Sequence, residues 1–228
     1  MDPKEQFDRQ AKYYANSPTF SSGLSLDLLS KLLKNKTFTK GLDIGTGSGF
    51  TAFEISKTCT SVEGIDISTG MLDEANRIKN ERKIKNVNFK IGYAEDLDYD
   101  DESFDLITCR TSAHHFKDIE KAINEIERVI KNDGSIYMID TITSDQKILN
   151  DWHQKIETIR DKSHIKNYSL MEWKNYFEGS KLYLKEIHQT RVNMELEDWM
   201  ERSGTNESDK NILRNEYDNA NNKIKKFF

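Results

Sequence analysis

Cysteine and proline are scarce in this chain of 228 residues, with two of each, and glycine is modest at eleven. Cys59 and Cys109 have no CxxC or Cys/His spacing around them. A zinc module is thereby excluded, and both thiols read as reduced core residues of a cytosolic protein. So little proline and glycine also rules out a low-complexity chain. No apolar run approaches the roughly 18 residues that a membrane helix needs. The opening stretch, MDPKEQFDRQAKYY, alternates charge with aromatics and lacks the apolar run of a secretory leader. A soluble, cytoplasmic protein with no membrane partner is expected. An excess of positive charge is missing too: 34 Lys+Arg face 39 Asp+Glu, a net charge of -5. That balance argues against gripping phosphate backbones, so no nucleic-acid partner is expected.

What is present suffices for a core, because eleven Phe, nine Tyr and three Trp accompany a hydrophobic fraction of 36%. A charged fraction of 32% implies solvated helices around that core. The length favours one domain. From about residue 40 to 140, short apolar runs alternate with amphipathic segments. Strands are predicted at 41–45, 61–67, 87–91, 104–109 and 135–140. Helices are predicted at 49–57, 69–82 and 118–131, the last with Ile119, Ala122, Ile123, Ile126 and Ile130 at helical spacing. Such alternation means right-handed βαβ units and a doubly wound, mostly parallel α/β sheet.

The expected organisation of the single domain, 1–228, follows. Residues 1–36 hold N-terminal helices, including an amphipathic helix over 24–33 with Ser25 as N-cap. Residues 37–140 form the ligand-binding core, 141–180 a helical insertion, and 181–228 the last strands, over 181–196, and a charged helix over 206–226.

The loop Asp43-Ile44-Gly45-Thr46-Gly47-Ser48-Gly49 follows the first strand and opens a helix, where open α/β sheets bind ligands. Glycines there let the backbone approach a ligand with no Cβ in the way. A dinucleotide fingerprint aligned on Gly45 and Gly47 needs a small residue at position 50, and this chain has Phe50. Asp43 would repel a diphosphate but attract an ammonium and a sulfonium. Asp66, ending the second strand, can accept hydrogen bonds from both hydroxyls of a ribose. Together these acids describe S-adenosylmethionine better than a nicotinamide cofactor.

LDIGTGSGFTA resembles motif I of the class I S-adenosylmethionine-dependent methyltransferases, and VEGIDIS the acidic loop that follows it. GYAEDLDY (92–99) is similar to the adenine loop, and ERVIKNDGSIYMID (127–140) to the helix-turn-strand beyond it. FDRQAKYYANSP, CRTSAHHF, IRDKSH and EWKNYF resemble the ubiquinone/menaquinone C-methyltransferase-like subgroup. The resemblance implies a Rossmann-like fold and S-adenosylmethionine as cofactor. It places Asp43 and Gly45 near the methionine end, Gly47 and Gly49 under the sugar, and Asp66 on the ribose, with Thr46 also among the cofactor-binding residues. Ile67 and Met71 would flank adenine, with the backbone of Ala94 and Glu95 at its edge. The chain departs from many relatives in having Tyr93 in place of Asp, and Asn132-Asp133-Gly134 in place of Pro-Gly-Gly. The second change is turn chemistry.

Methyl transfer is an in-line displacement in which a nucleophile attacks the sulfonium methyl and neutral thioether leaves. The site must orient two reactants and exclude water; no metal is required. A base helps where the acceptor must lose a proton. Arg110, His114 and His115 follow the fourth strand at the carboxyl edge of the sheet. His114 or His115 reads as the acid-base residue, and Arg110 as a holder of an acidic acceptor. Arg160, Asp161 and His164 read as acceptor-binding residues in a mobile cap, 144–179, whose Trp152, Tyr168, Trp173 and Phe177 are spaced to give one apolar face. The expected acceptor is a small molecule and the expected assembly a monomer or homodimer. A nicotinamide-dependent reductase and a non-enzymatic S-adenosylmethionine-binding protein are the competing readings.

Overall fold

The computed structural model describes residues 3–16, 18–191 and 195–227. Three helices lead in: α1 (Pro3–Asn16), α2 (Pro18–Ser22) and α3 (Leu24–Leu33). The core then alternates β1 (Phe38–Ile44), α4 (Phe50–Ile55), β2 (Cys59–Asp66), α5 (Thr69–Glu81), β3 (Val87–Ile91), β4 (Phe104–Arg110), α6 (Ile119–Val129) and β5 (Ile130–Ile139). Its five strands are all parallel, in the order β3-β2-β1-β4-β5. The chain winds outward from β1 to β3 and returns to β4 on the other side of β1. That reversal opens a crevice at the carboxyl ends of β1 and β4, where doubly wound sheets bind their ligands.

The predicted strands and helices of 40–140 are all found, and the reason is burial. Leu42, Ile44, Ile65, Leu106 and Ile107 are each at most 1% exposed, as continuous apolar runs in a sheet covered on both faces require. One face carries α6, whose Ile119, Ala122, Ile123 and Ile126 pack with Phe104 and Ile107; the other carries Leu29 and Leu33 of α3 with Phe53 and Ile55 of α4. Each of these Leu, Ile and Phe side chains contributes about 1.5–3 kcal/mol by leaving water. Asp118 caps α6 by accepting from Lys121 N, and Ser68 caps α5 by accepting from Met71 N.

Beyond the core lie β6 (Ile142–Thr143), α7 (Lys147–Arg160), β7 (Tyr168–Ser169), α8 (Leu170–Glu178), α9 (Leu196–Arg202), α10 (Glu207–Asp218) and α11 (Asn222–Phe227). β6 and β7 form a separate two-stranded parallel pair. Several expectations are corrected here. Gly23, not Ser25, is the N-cap of α3; the Ser25 hydroxyl instead accepts from Arg110. Asn132-Asp133-Gly134 lies within β5, where the register against β4 slips between Phe104 and Leu106 and absorbs the extra residues. No strand occurs over the described part of 181–191, because no neighbouring strand pairs with it and Tyr183 is 82% exposed. Residues 192–194, also part of that expected pair of strands, lie outside the described residues. The charged helix over 206–226 is two helices, α10 and α11. The aromatics of 144–179 do not share one face: Tyr168, Trp173 and Phe177 join the main core, whereas Trp152 packs with Met200 and Leu213.

Candidate active site

The cofactor end is built from backbone turns. Gly45, Gly47 and Gly49 have φ of 64, 52 and 86°, the left-handed region that a Cβ disfavours. A Cβ on Gly45 would collide with the Ser112 side chain, and one on Gly49 would stand 2.7 Å from Phe89 Cζ. A Cβ on Gly47 would meet nothing within 4 Å, so this backbone lies open to an approaching group. Thr46 N donates to Ile65 O at 2.9 Å and pins the loop to β2.

Two buried carboxylates brace the loop. Asp43 accepts from Thr46 Oγ1 at 2.6 Å and from Thr108 Oγ1 at 2.7 Å. Burial pushes its carboxyl up to about 6 against those two hydrogen bonds. Asp66 accepts from Gly47 N at 2.8 Å on one oxygen and from Ser68 N at 2.9 Å on the other. Burial pushes it up to about 6 as well. Each carboxylate oxygen retains a second lone pair, so both acids can accept further hydrogen bonds. A Cβ-free cradle beside two such acceptors fits a ligand with vicinal hydroxyls and a cationic end. It does not fit a pyrophosphate.

Around the cradle, Met71 and Ala94 are buried and Ile67 is half-buried. The Met71 sulfur accepts from Ser48 Oγ at 3.8 Å. The Glu95 carboxylate accepts from Lys117 N at 2.8 Å, ahead of α6, so its side chain braces that helix start. Tyr93 is exposed. Asp8 of α1 accepts from Ser68 Oγ at 2.6 Å and Gly70 N at 2.9 Å, which seats α1 on the start of α5.

The acceptor end is built from side chains. After β4 the chain reverses at Thr111, whose φ of 55° is strained for a β-branched residue. Thr111 N donates to Ile139 O at 2.8 Å and holds the turn. A short 3-10 turn, Ala113–His115, then presents two imidazoles with ring centroids 4.1 Å apart. His114 Nδ1 lies 2.6 Å from Asp140 Oδ1. His115 Nδ1 faces Ser163 O at 3.1 Å, and its ring meets Phe7 of α1 edge-on at 4.9 Å. The loop after α7 is tied to the same turn, since Ile165 N and Lys166 N both donate to His114 O. Asp161 accepts from Gln6 Nε2, Ser163 N and Ser163 Oγ at 2.6, 2.8 and 2.6 Å. Phe7, Tyr14, His114, His115, Glu157 and Arg160 all border one broad cleft, which the cradle residues Asp43, Gly45, Gly47 and Asp66 do not line.

Burial opposes charge on all three rings. It pushes His115 down to about 3, aided by the neighbouring His114, and His164 down to about 4. His114 alone moves the other way: burial lowers it, but the Asp140 charge and hydrogen bond outweigh burial and hold it above the ordinary imidazole value.

Most of the sequence-derived site is brought together. Asp43, Gly45, Thr46, Gly47, Gly49 and Asp66 share one cradle, and His114 and His115 share a cluster with Asp161 and His164. Arg110 does not join them. Strand alternation puts Cys109 in the α6-side core and turns Arg110 to the other face, where it donates to Thr51 Oγ1 at 2.9 Å and Phe20 O at 2.7 Å. It fastens α2 and α4 to the sheet, which corrects its assignment to the acceptor. Arg160 lines the cleft, but it is paired with Glu157 at 2.8 Å and lies over the Trp199 ring at 4.8 Å. Asp140, Gln6 and Ser163 were not anticipated. Asp140 carried a usable signal, being an acid at the carboxyl end of a strand; Gln6 carried none.

An open parallel sheet with a glycine cradle after its first strand and an acid ending its second is shared by dinucleotide-binding domains and the class I S-adenosylmethionine-dependent methyltransferases, and the buried Asp43 beside the cradle with Phe50 after it fits the methyltransferases. Residues 35–216 match the methyltransferase domain family, and the chain belongs to that family. It is 33% identical over 205 residues, 90% of this chain and 81% of the relative, to the uncharacterized methyltransferase YcgJ of Bacillus subtilis. The crystal structure of YcgJ matches with a TM-score of 0.86 at 32% identity, covering 90% of this chain and 87% of that one. A demethylmenaquinone methyltransferase of Chlorobaculum tepidum is 32% identical over 111 residues, 48% of this chain and 44% of the relative. The protein is a methyltransferase that uses S-adenosylmethionine. The reductase and non-enzymatic readings are not favoured.

Proposed function

We propose that this methyltransferase acts in the cytoplasm on a small-molecule acceptor, and that His114 takes the proton the acceptor gives up. The observation that carries this reading is the geometry of His114. Its Nδ1 faces the Asp140 carboxylate, Nε2 makes no hydrogen bond among the described residues, and the residue borders the cleft. Gln6 and Phe7 of α1 reach across to Asp161 and His115, which roofs the cleft on a scale suited to a small molecule. Among the described residues no helix is long and apolar enough to cross a membrane.

The cofactor supplies a methyl on a sulfonium, whose sulfur keeps the bonding pair as a neutral thioether when the acceptor takes the methyl. This chain's residues divide the remaining work. Asp43 with Gly45 and Thr46 holds the cationic end, Gly47 and Gly49 admit the sugar, and Asp66 accepts from the ribose hydroxyls. Ile67 and Met71 flank adenine, and the backbone of Ala94 and Glu95 meets its edge. At the other end, His114 Nε2 accepts the acceptor's proton, leaving an imidazolium that faces Asp140. His115, neutral and packed on Phe7, shapes the cleft beside it. Asp161 and His164 hold the loop behind the two rings, and Arg160 forms part of the wall.

Incubating the protein with S-adenosylmethionine and a cell extract split by ultrafiltration tests the reading. S-adenosylhomocysteine should form with the small-molecule filtrate. Formation with the retained macromolecules alone would contradict it.

A further inference from the structure

Asp140 stands one residue beyond β5, and its side chain is only 2% exposed. Its carboxylate faces His114 Nδ1 at 2.6 Å, and accepts from His114 N at 3.1 Å and Thr141 N at 2.7 Å. It therefore grips residue 114 by ring and backbone together. An ionised carboxylate can only accept, so Nδ1 must carry the proton and Nε2 of the neutral ring must carry the lone pair. Among the described residues, no other group in the cluster hydrogen-bonds the His114 ring. The other groups near the ring are His115 beside it, Glu157 and Arg160 of α7, and Asp161 and His164 just after α7. Among the described residues the side-chain hydrogen bonds of those five go elsewhere, to Ser163, Gln154, Gln6, Trp199 and one another, and Glu157 also pairs with His153. His115 has its own anchor in Ser163, so the two imidazoles are oriented separately.

We propose that Asp140 is the positioning residue of this methyltransferase: by holding His114 with Nδ1–H turned inward, it presents the Nε2 lone pair to an acceptor whose nucleophilic atom carries an ionisable proton, such as a phenol, an enol or a hydroxyl. This rests on the reading of His114 as the base and extends it to the class of acceptor. The proton balance is simple. The acceptor's proton goes to Nε2, its electron pair forms the bond to the methyl, and the imidazolium so made is stabilised by the Asp140 charge. Electrostatics agree with the geometry, since Asp140 is what keeps His114 above its ordinary value against burial.

The test reads the imidazoles directly, so it stands whether or not the acceptor is in hand. Long-range proton-nitrogen spectra of uniformly labelled protein, with His114→Gln to assign the ring, report tautomer and titration midpoint. In the unmodified protein, neutral His114 should be the Nδ1–H form. In Asp140→Asn its midpoint should fall by about one pH unit, a tenfold loss of proton affinity, or more. With the small-molecule filtrate as acceptor source, half-maximal turnover should move down in pH by the same amount while KM for S-adenosylmethionine stays put. An Nε2–H tautomer, or a midpoint that Asp140→Asn leaves unchanged, overturns the proposal. Should that variant fail to fold, Asp140→Ser, which removes the same charge from a smaller side chain, gives the same reading. Absence of turnover with any filtrate would count against the small-molecule reading and leave the titration result standing.

Discussion

The two ends of the proposed site are held by different kinds of contact. At the cofactor end the partners are close in sequence, with Asp43 and Thr46 three residues apart and Gly47 and Asp66 nineteen, and three of the four bonds to Asp43 and Asp66 come from the local loop or the strand ends beside it. At the acceptor end the partners are remote: His115 reaches Ser163 across 48 residues and Gln6 reaches Asp161 across 155. The first end is fixed once the parallel sheet forms, with α1 adding only the contacts of Asp8 to Ser68 and Gly70. The second exists only when α1, the turn after β4 and the loop after α7 have docked. Damage to one end should therefore leave the other largely intact.

The largest separation is expected from His114→Gln, which keeps a polar side chain but removes the base. Turnover with the active filtrate should fall by about two orders of magnitude. Affinity for S-adenosylhomocysteine should hold, as checked by calorimetry. Equal losses in both would mean that the two ends are not independent.

A smaller effect comes from pH. Burial raises both Asp43 and Asp66 to about 6, so each loses its charge as pH falls through that value. Only the ionised acids accept fully from the ribose and the ammonium. Cofactor affinity should be flat above pH 7 and weaken as pH drops below 6, by up to about tenfold per unit for each acid that must ionise. Affinity that strengthens on acidification would contradict the role of both acids.

The smallest effect sharpens the comparison from the α1 side. Gln6→Ala removes one hydrogen bond to Asp161, a buried carboxylate that keeps its two bonds to Ser163. The loss should be about 1.5–3 kcal/mol at most, seen as a lower melting temperature. Turnover should decline more than cofactor affinity does.

The same difference explains what the sequence could and could not disclose. The cradle was legible because glycines, acids and strand ends follow one another in a fixed local order, and burial imposes that order on any sheet covered by helices. Asp118 and Ser68 cap their helices through equally local contacts, yet the one N-cap expected from the sequence, Ser25, does not cap α3. Arg110 was misplaced because strand alternation, not proximity in sequence, decides which face a side chain takes. The pair His114–Asp140 needed the register of β4 against β5, and the Gln6–Asp161 bond needed the docking of α1; neither leaves a periodic trace. The alternating residues of 181–191 read as strand, yet alternation makes a strand only where an edge is there to pair with it.

One calorimetric experiment bears most directly on the division between the two ends: titration of S-adenosylhomocysteine into the unmodified protein, Asp66→Ala and His114→Gln. The Asp66 carboxylate should make two charge-assisted hydrogen bonds of about 1.5–3 kcal/mol each to the ribose. Asp66→Ala should then bind at least about tenfold more weakly, while His114→Gln binds as the unmodified protein does. An unchanged dissociation constant for Asp66→Ala would contradict the placement of the cofactor and the account built on it.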